Sequence, residues 1–201
     1  MSYSSTSWTT DGLTQAGSSG TTTMGGITLY AYFGVGAAEA NQFVADTHHP
    51  IPFATNHYGS TTFQDEITFG TSGEPATTFT TADGVTTDAS LLVPMMWYLP
   101  DAISIDGVTA LQGLEADATI TTRMHLYSYT FTSGSTSALT SGTLLAHSDD
   151  LSNEGSEQAY LQTWTVDSAS VSAGKVILAF FRMDTSADDS SVSITVKYHL
   201  S

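Results

Sequence analysis

The chain has 201 residues, with 20 Asp and Glu against four Lys and Arg, no cysteine, and a formal charge of −16 at pH 7. A surface this poor in cations repels phosphate backbones and anionic lipid, so neither nucleic-acid binding nor docking on an anionic membrane is expected. Ser and Thr supply 59 residues, and these short hydroxyl side chains favour strands and turns over helices.

A length near 200 suits a single large all-β unit. Such a chain buries about 70% of its unfolded surface and needs no disulfide or metal staple. The opening MSYSSTSWTTDG has neither a basic leader nor an apolar run of signal length, which points to synthesis in the cytosol as a soluble protein. Asn41, Asn56 and Asn153 all lie outside N-glycosylation sequons. The acidity is also that of proteins from saline habitats, although acidic residues make up only a tenth of the chain.

Residues 1–26 are rich in Ser, Thr and Gly, with Trp8, Leu13 and Met24 as isolated apolar anchors. They read as an N-terminal arm that becomes ordered only by lying on its own domain or on a neighbouring subunit. From Ile27, ITLYAYFGV alternates, placing Ile27, Leu29, Ala31, Phe33 and Val35 on one face and Tyr30 and Tyr32 on the other. Residues 37–66 read as irregular, with a short helix over 37–45 and a loop marked by His48, His49, Pro50, Pro52 and His57. Short strands are expected at 66–69 and 76–80.

Beyond Asp83-Gly84, strand signals recur at the spacing of a sandwich: 90–99, 102–111, 118–132, 143–147, 159–167, 175–183 and 192–200. Turn pairs stand at Asp106-Gly107, Ser133-Gly134, Ser141-Gly142 and Ala173-Gly174. Within 118–132, Ile120, Met124 and Leu126 alternate with Arg123, His125, Tyr127 and Tyr129, the pattern of a strand with one face in solvent. The unbroken run VILAFF predicts a strand covered on both faces, and Pro94 confines its segment to an edge, a bulge or two short strands. The fold class is therefore all-β, an antiparallel jelly-roll-like sandwich over 86–201, preceded by the arm at 1–26 and a small β extension at 27–85.

Asp46, His48, His49 and His57 are residue types that ligate zinc or another divalent ion. Adjacent histidines point apart in an extended strand, however, and they are read instead as local hydrogen-bonding or subunit-contact residues. The acidic runs at Asp149, Asp150, Asn153, Glu154 and Glu157, and at Asp184, Asp188 and Asp189, carry oxygen ligands but not the spacing of a calcium loop. Neither HExxH, GxSxG nor GK[ST] occurs. Gly34-Val35-Gly36 follows a strand, but Glu39 stands where a dinucleotide fingerprint needs a small residue. No catalytic residue, metal or cofactor is expected. Trp97, Tyr98, Tyr127, Tyr129, Tyr160 and Trp164 are either core or interface residues, or a sugar-stacking platform.

The segment WYLPDAISIDGVTALQGLEADATITTRMHLYSYTF, followed by VSAGKVILAFFRMD and the terminal VSITVKYHL, resembles jelly-roll capsid decoration, cement and fibre proteins of tailed viruses of bacteria and archaea. The resemblance covers roughly residues 90–200 and differs from the family pattern at Lys175, where an acidic residue often follows the hairpin glycine. It implies a non-enzymatic virion protein on the capsid exterior, commonly a homotrimer, whose partner is the major capsid protein. On that reading Trp8, Leu13, Met24, His48, His49, His57 and Tyr58 are contact residues. The alternative is a fibre or adhesin head that binds host carbohydrate through exposed Trp97, Tyr127 or Tyr129.

Overall fold

Apolar side chains at every second position commit three long segments to strands with one buried face, Leu29–Ala38, Ile103–Leu114 and Ser190–Leu200. The computed structural model describes residues 6–9, 12–17, 20–23, 27–38, 43–53, 67–79, 89–114, 120–153, 157–185 and 190–201. In chain order the strands are β1 (Thr6–Thr9), β2 (Gly12–Gly17), β3 (Gly20–Thr23), β4 (Leu29–Ala38), β5 (His49–Ile51), β6 (Trp97–Tyr98), β7 (Ile103–Leu114) and β8 (Thr121–Phe131). They continue with β9 (Leu139–His147), β10 (Leu151–Ser152), β11 (Gln158–Thr163), β12 (Thr165–Val166), β13 (Ser170–Val171), β14 (Lys175–Met183) and β15 (Ser190–Leu200).

Two antiparallel sheets pack as a sandwich. One has the order β11-β7-β15-β4, with β13 added beside β7; the other has the order β12-β9-β8-β14-β5, with β10 and β6 added beside β8 and β14. Taking β4, β5, β7, β8, β9, β11, β14 and β15 as the eight principal strands, the first sheet holds the first, eighth, third and sixth. The second holds the second, seventh, fourth and fifth. That interleaving is two Greek keys wound together, a jelly roll. Trp164 is the corner at which the chain leaves β11 in one sheet and enters β12 in the other.

The first core fills the space between the sheets, with Phe33, Ile105, Val108, Leu126, Ile177, Phe181 and Ile194 among its members. Gln112 and Thr122 face each other across it, the Gln112 amide donating to the Thr122 hydroxyl at 2.8 Å. A second core lies on the outer side of β8 and β14, where Tyr127, Tyr129, Leu178 and Phe180 meet Ile67, Phe69 and Phe79 of the 67–79 segment and Leu92 and Met95 of a 3-10 helix, Ala89–Met95. β14 is buried along nearly its whole length, as VILAFF predicts.

Several expectations change. β4 pairs with β15, and β5 with β14, so residues 27–53 belong to the sandwich and form no separate extension. Both ends of the helix expected over 37–45 are non-helical, since Ala38 ends β4 and residues 43–46 bend and turn, while 39–42 lie outside the described residues. His49 and Pro50 are strand residues; proline is tolerated because β5 is an edge strand. Within the described residues, 67–79 is irregular, apart from a single bridge between Phe79 and Leu139. Pro94 sits inside a 3-10 helix, and only Trp97–Tyr98 is strand. β8 is covered on both faces from Met124 to Tyr129, not on one, because the second core closes over its Tyr-rich side.

The turn pairs divide. Gly134 and Gly174 adopt φ of 72° and 80° in tight turns. Asp106-Gly107 is instead a bulge within β7, where Lys197 pairs with Gly107 and Tyr198 with Ile105. Ser141-Gly142 lies inside β9, and a Cβ on Gly142 would come within 2.7 Å of the Tyr129 ring and 2.8 Å of Thr77 Cα.

Candidate functional site

Two places in the molecule combine chemistry with position: a buried histidine cluster and the uncovered face of the four-stranded sheet. The cluster arises where β8 passes beneath the 67–79 segment. The backbone of His48 exchanges hydrogen bonds with that segment, His48 N donating to Gly70 O and Phe69 N to His48 O. This draws the His48 ring against His125, the two centroids lying 5.2 Å apart. His48 Nδ1 lies 3.3 Å from Gly70 O.

Glu74 closes the cluster from the outside. Its Oε2 accepts a hydrogen bond from Tyr127 at 2.9 Å, and its Oε1 lies 3.7 Å from Arg123 Nη2. The same Oε2 stands 3.2 Å from His125 Nε2, off the line a hydrogen bond needs. Among the described residues both ring nitrogens of His125, and Nε2 of His48, are buried without a hydrogen-bonding partner.

Burial holds His48 and His125 as neutral imidazoles, with pKa values pulled down to about 3. The next largest influence is His125 for His48 and Arg123 for His125. Tyr127 is pushed well above the ordinary phenol value by burial and by its bond to Glu74. A carboxylate gripping a phenol, with a guanidinium nearby, is a clasp that fastens the 67–79 layer to β8. Among the described residues, no three His, Asp or Glu side chains are grouped to hold a metal ion. Two further His–Asp pairs lie nearer the surface, His147–Asp167 at 2.7 Å and His199–Asp106 at 2.9 Å.

The expected contact residues scatter. His48 and His49 have no exposed surface, so their side chains are internal to the sandwich and do not offer the contact expected of them; the β5–β14 pairing draws them inward. Trp8 and Leu13 are register partners across β1 and β2. Met24, His57 and Tyr58 lie outside the described residues. Trp97, Tyr127, Tyr129 and Trp164 are buried, so the carbohydrate platform loses the side chains it needs, and of the six aromatics expected to form it only Tyr98 stands well exposed.

The second place leaves only a faint trace in the sequence. On the outer face of β11-β7-β15-β4, Leu161 and Leu111 are register partners with 72% and 57% of their surface exposed. Tyr30 and Tyr32 are exposed on β4 at the far side of the sheet. Beside Leu111 lies a shallow depression of about 400 Å³ floored by Gly34, Gly36, Gly113, Ser191 and Ser193. The available signal was local: in VTALQG and AYLQT a leucine occupies a position that alternation assigns to solvent.

No family model and no curated protein matches the chain. Among solved structures it is similar to Eiger TNF from S. frugiperda at 14% identity, over 85% of this chain and 92% of that one, with a TM-score of 0.31. The jelly-roll assignment rests on the strand order, not on this likeness. No helix among the described residues is long and apolar enough to cross a membrane.

Proposed function

We propose that the chain is a non-enzymatic virion structural protein, a decoration or cement protein that sits on the capsid exterior and bridges subunits of the major capsid protein. The observation that supports this reading is the N-terminal sheet. Among the described residues, β1, β2 and β3 pair with one another, in the order β1-β2-β3, and join neither sheet of the sandwich. Their strands, TSWT, GLTQAG and GTTT, carry no charged side chain, and the outer strands of a three-stranded sheet leave backbone donors and acceptors for a neighbour's strand.

Such an arm grips without cations, by backbone pairing, hydroxyls and apolar anchors. Binding the assembled lattice but not free coat subunits stabilises the shell by mass action, about 2.7 kcal/mol per site at a hundredfold excess over Kd.

The test is mass spectrometry of purified particles combined with occupancy of a variant lacking residues 1–26. The expected result is a stoichiometric capsid component whose occupancy collapses on deletion of the arm. Absence from particles, or full occupancy without the arm, would overturn the reading.

A further inference from the structure

The two sheets are unequal. The outer face of the β8–β14 sheet is roofed by the 67–79 segment and the 3-10 helix, which enclose the second core. Among the described residues the outer face of β11-β7-β15-β4 has no such roof, and its leucines and tyrosines are exposed. We infer that this face is where a second copy of the chain packs, an assignment that does not depend on the capsid reading.

Three features argue for a copy of the same chain. The first is charge. The molecule carries 20 carboxylates, yet the outward positions of these four strands from Thr109 and Leu111 to Ser193 and Thr195 carry none. Among the described residues Lys197 is the charge within the face; Asp106, paired with His199, stands at one end and the exposed Glu157, just before β11, at the other. Two bodies of charge −16 repel, and the repulsion is smallest where carboxylates are missing. Depletion of charge is also the compositional mark of an interface centre.

The second feature is shape. Leu111 and Leu161 form a ridge beside the depression floored by Gly34, Gly36 and Gly113. A Cβ on Gly36 would meet nothing within 4 Å, so no packing contact among the described residues requires a glycine there. Ridge and depression on one face are the two halves of a self-complementary contact, in which the leucines of each copy enter the depression of the other.

The third is area. Three strands of 10 to 12 residues and the six-residue β11, spaced about 4.8 Å apart, present roughly 600 Å² in plan, so two copies bury on the order of 1,200 Å², the lower bound of a stable interface.

The experiment is sedimentation of the full chain from 1 to 100 μM in 20 mM and 500 mM NaCl, alongside the double variant Leu111→Asp/Leu161→Asp. The expected result is a self-associating protein whose oligomer fraction rises with salt, as repulsion between like-charged bodies is screened, and a variant that stays monomeric with an unchanged far-UV spectrum. Val93→Asp, in the separate apolar patch with Tyr98 and Phe131, should leave association intact. Because the chain has no cysteine, Ser193→Cys provides a second readout that survives any misfolding of the double variant. Its alkylation rate should fall at least tenfold between 1 and 100 μM. A monomer at 100 μM, an oligomer indifferent to the aspartates, or alkylation independent of concentration would each overturn the assignment.

Discussion

The imidazoles of His48 and His125 meet edge to face in the interior, centroids 5.2 Å apart, and neither ring has any exposed surface. One comes from the chain leading into β5, the other from the middle of β8, so their contact records the closure of the 67–79 layer over the sandwich. A pair of neutral buried bases with three unpartnered nitrogens is a weak point in acid.

The first prediction concerns pH. The groups facing the pair are Glu74, Arg123, Arg182 and His147, of which only Glu74 favours a charged ring. Both folded pKa values, about 3, lie below the unfolded 6.5. The stability is therefore complete above pH 6.5 and lost as the pH falls from 6.5 toward 3, by roughly 2 kcal/mol per histidine at pH 5. Urea midpoints between pH 7 and pH 5, where carboxylates stay ionised, should fall steeply for the wild type and with about half the slope for His125→Leu. Equal slopes would show that the cluster is not the acid-sensitive element.

A second concerns the clasp. Glu74→Ala leaves the buried Tyr127 hydroxyl without its acceptor and should cost about 1–3 kcal/mol. Glu74→Gln keeps an oxygen in place and should recover most of that loss. Thermal melts of the two variants compare them directly; an alanine variant as stable as the wild type would remove the clasp from the account of how this layer is held.

Glycine substitutions should separate backbone from side-chain crowding. Gly142→Ala drives a methyl into Thr77 Cα and the Tyr129 ring, and neither yields readily, so a loss of about 1–3 kcal/mol is expected. Gly113→Ala meets only the Ser191 hydroxyl, at 2.7 Å, which can rotate away. Chemical denaturation should rank Gly113→Ala well above Gly142→Ala in stability, and the reverse order would mean that the 67–79 layer is easily displaced.

Phe180 and Phe181 are adjacent, fully buried, and point into different cores. Truncating either to alanine should cost about 3–5 kcal/mol. Comparable losses are expected by denaturant titration, because both rings are fully buried among apolar neighbours. A negligible effect for Phe180→Ala would reduce the second core to a loose covering.

The strands with the strongest local pattern were the ones readable from the chain. β14 lies at 175–183 as VILAFF predicts, and Ala31, Phe33 and Val35 turn inward while Tyr30 and Tyr32 turn out. The misjudged segments share a cause. Residues 67–79 and 89–95 have strand-like composition yet hold no regular sheet, since their apolar side chains are satisfied by packing over Tyr129 and Phe180 and not by a neighbour's backbone. His49 and Pro50 carried loop signals that the open edge of β14 overrode.

Composition and alternation alone determined an all-β chain of two-faced strands with a net charge of −16, because side-chain period and net charge are local sums over residues. Which strands became neighbours, which tyrosines were sealed in, and which sheet face was left bare were decided by closure of the jelly roll. Those outcomes depend on contacts between residues far apart in the chain, such as Glu74 with Tyr127 and Leu111 with Leu161, which no window of sequence contains.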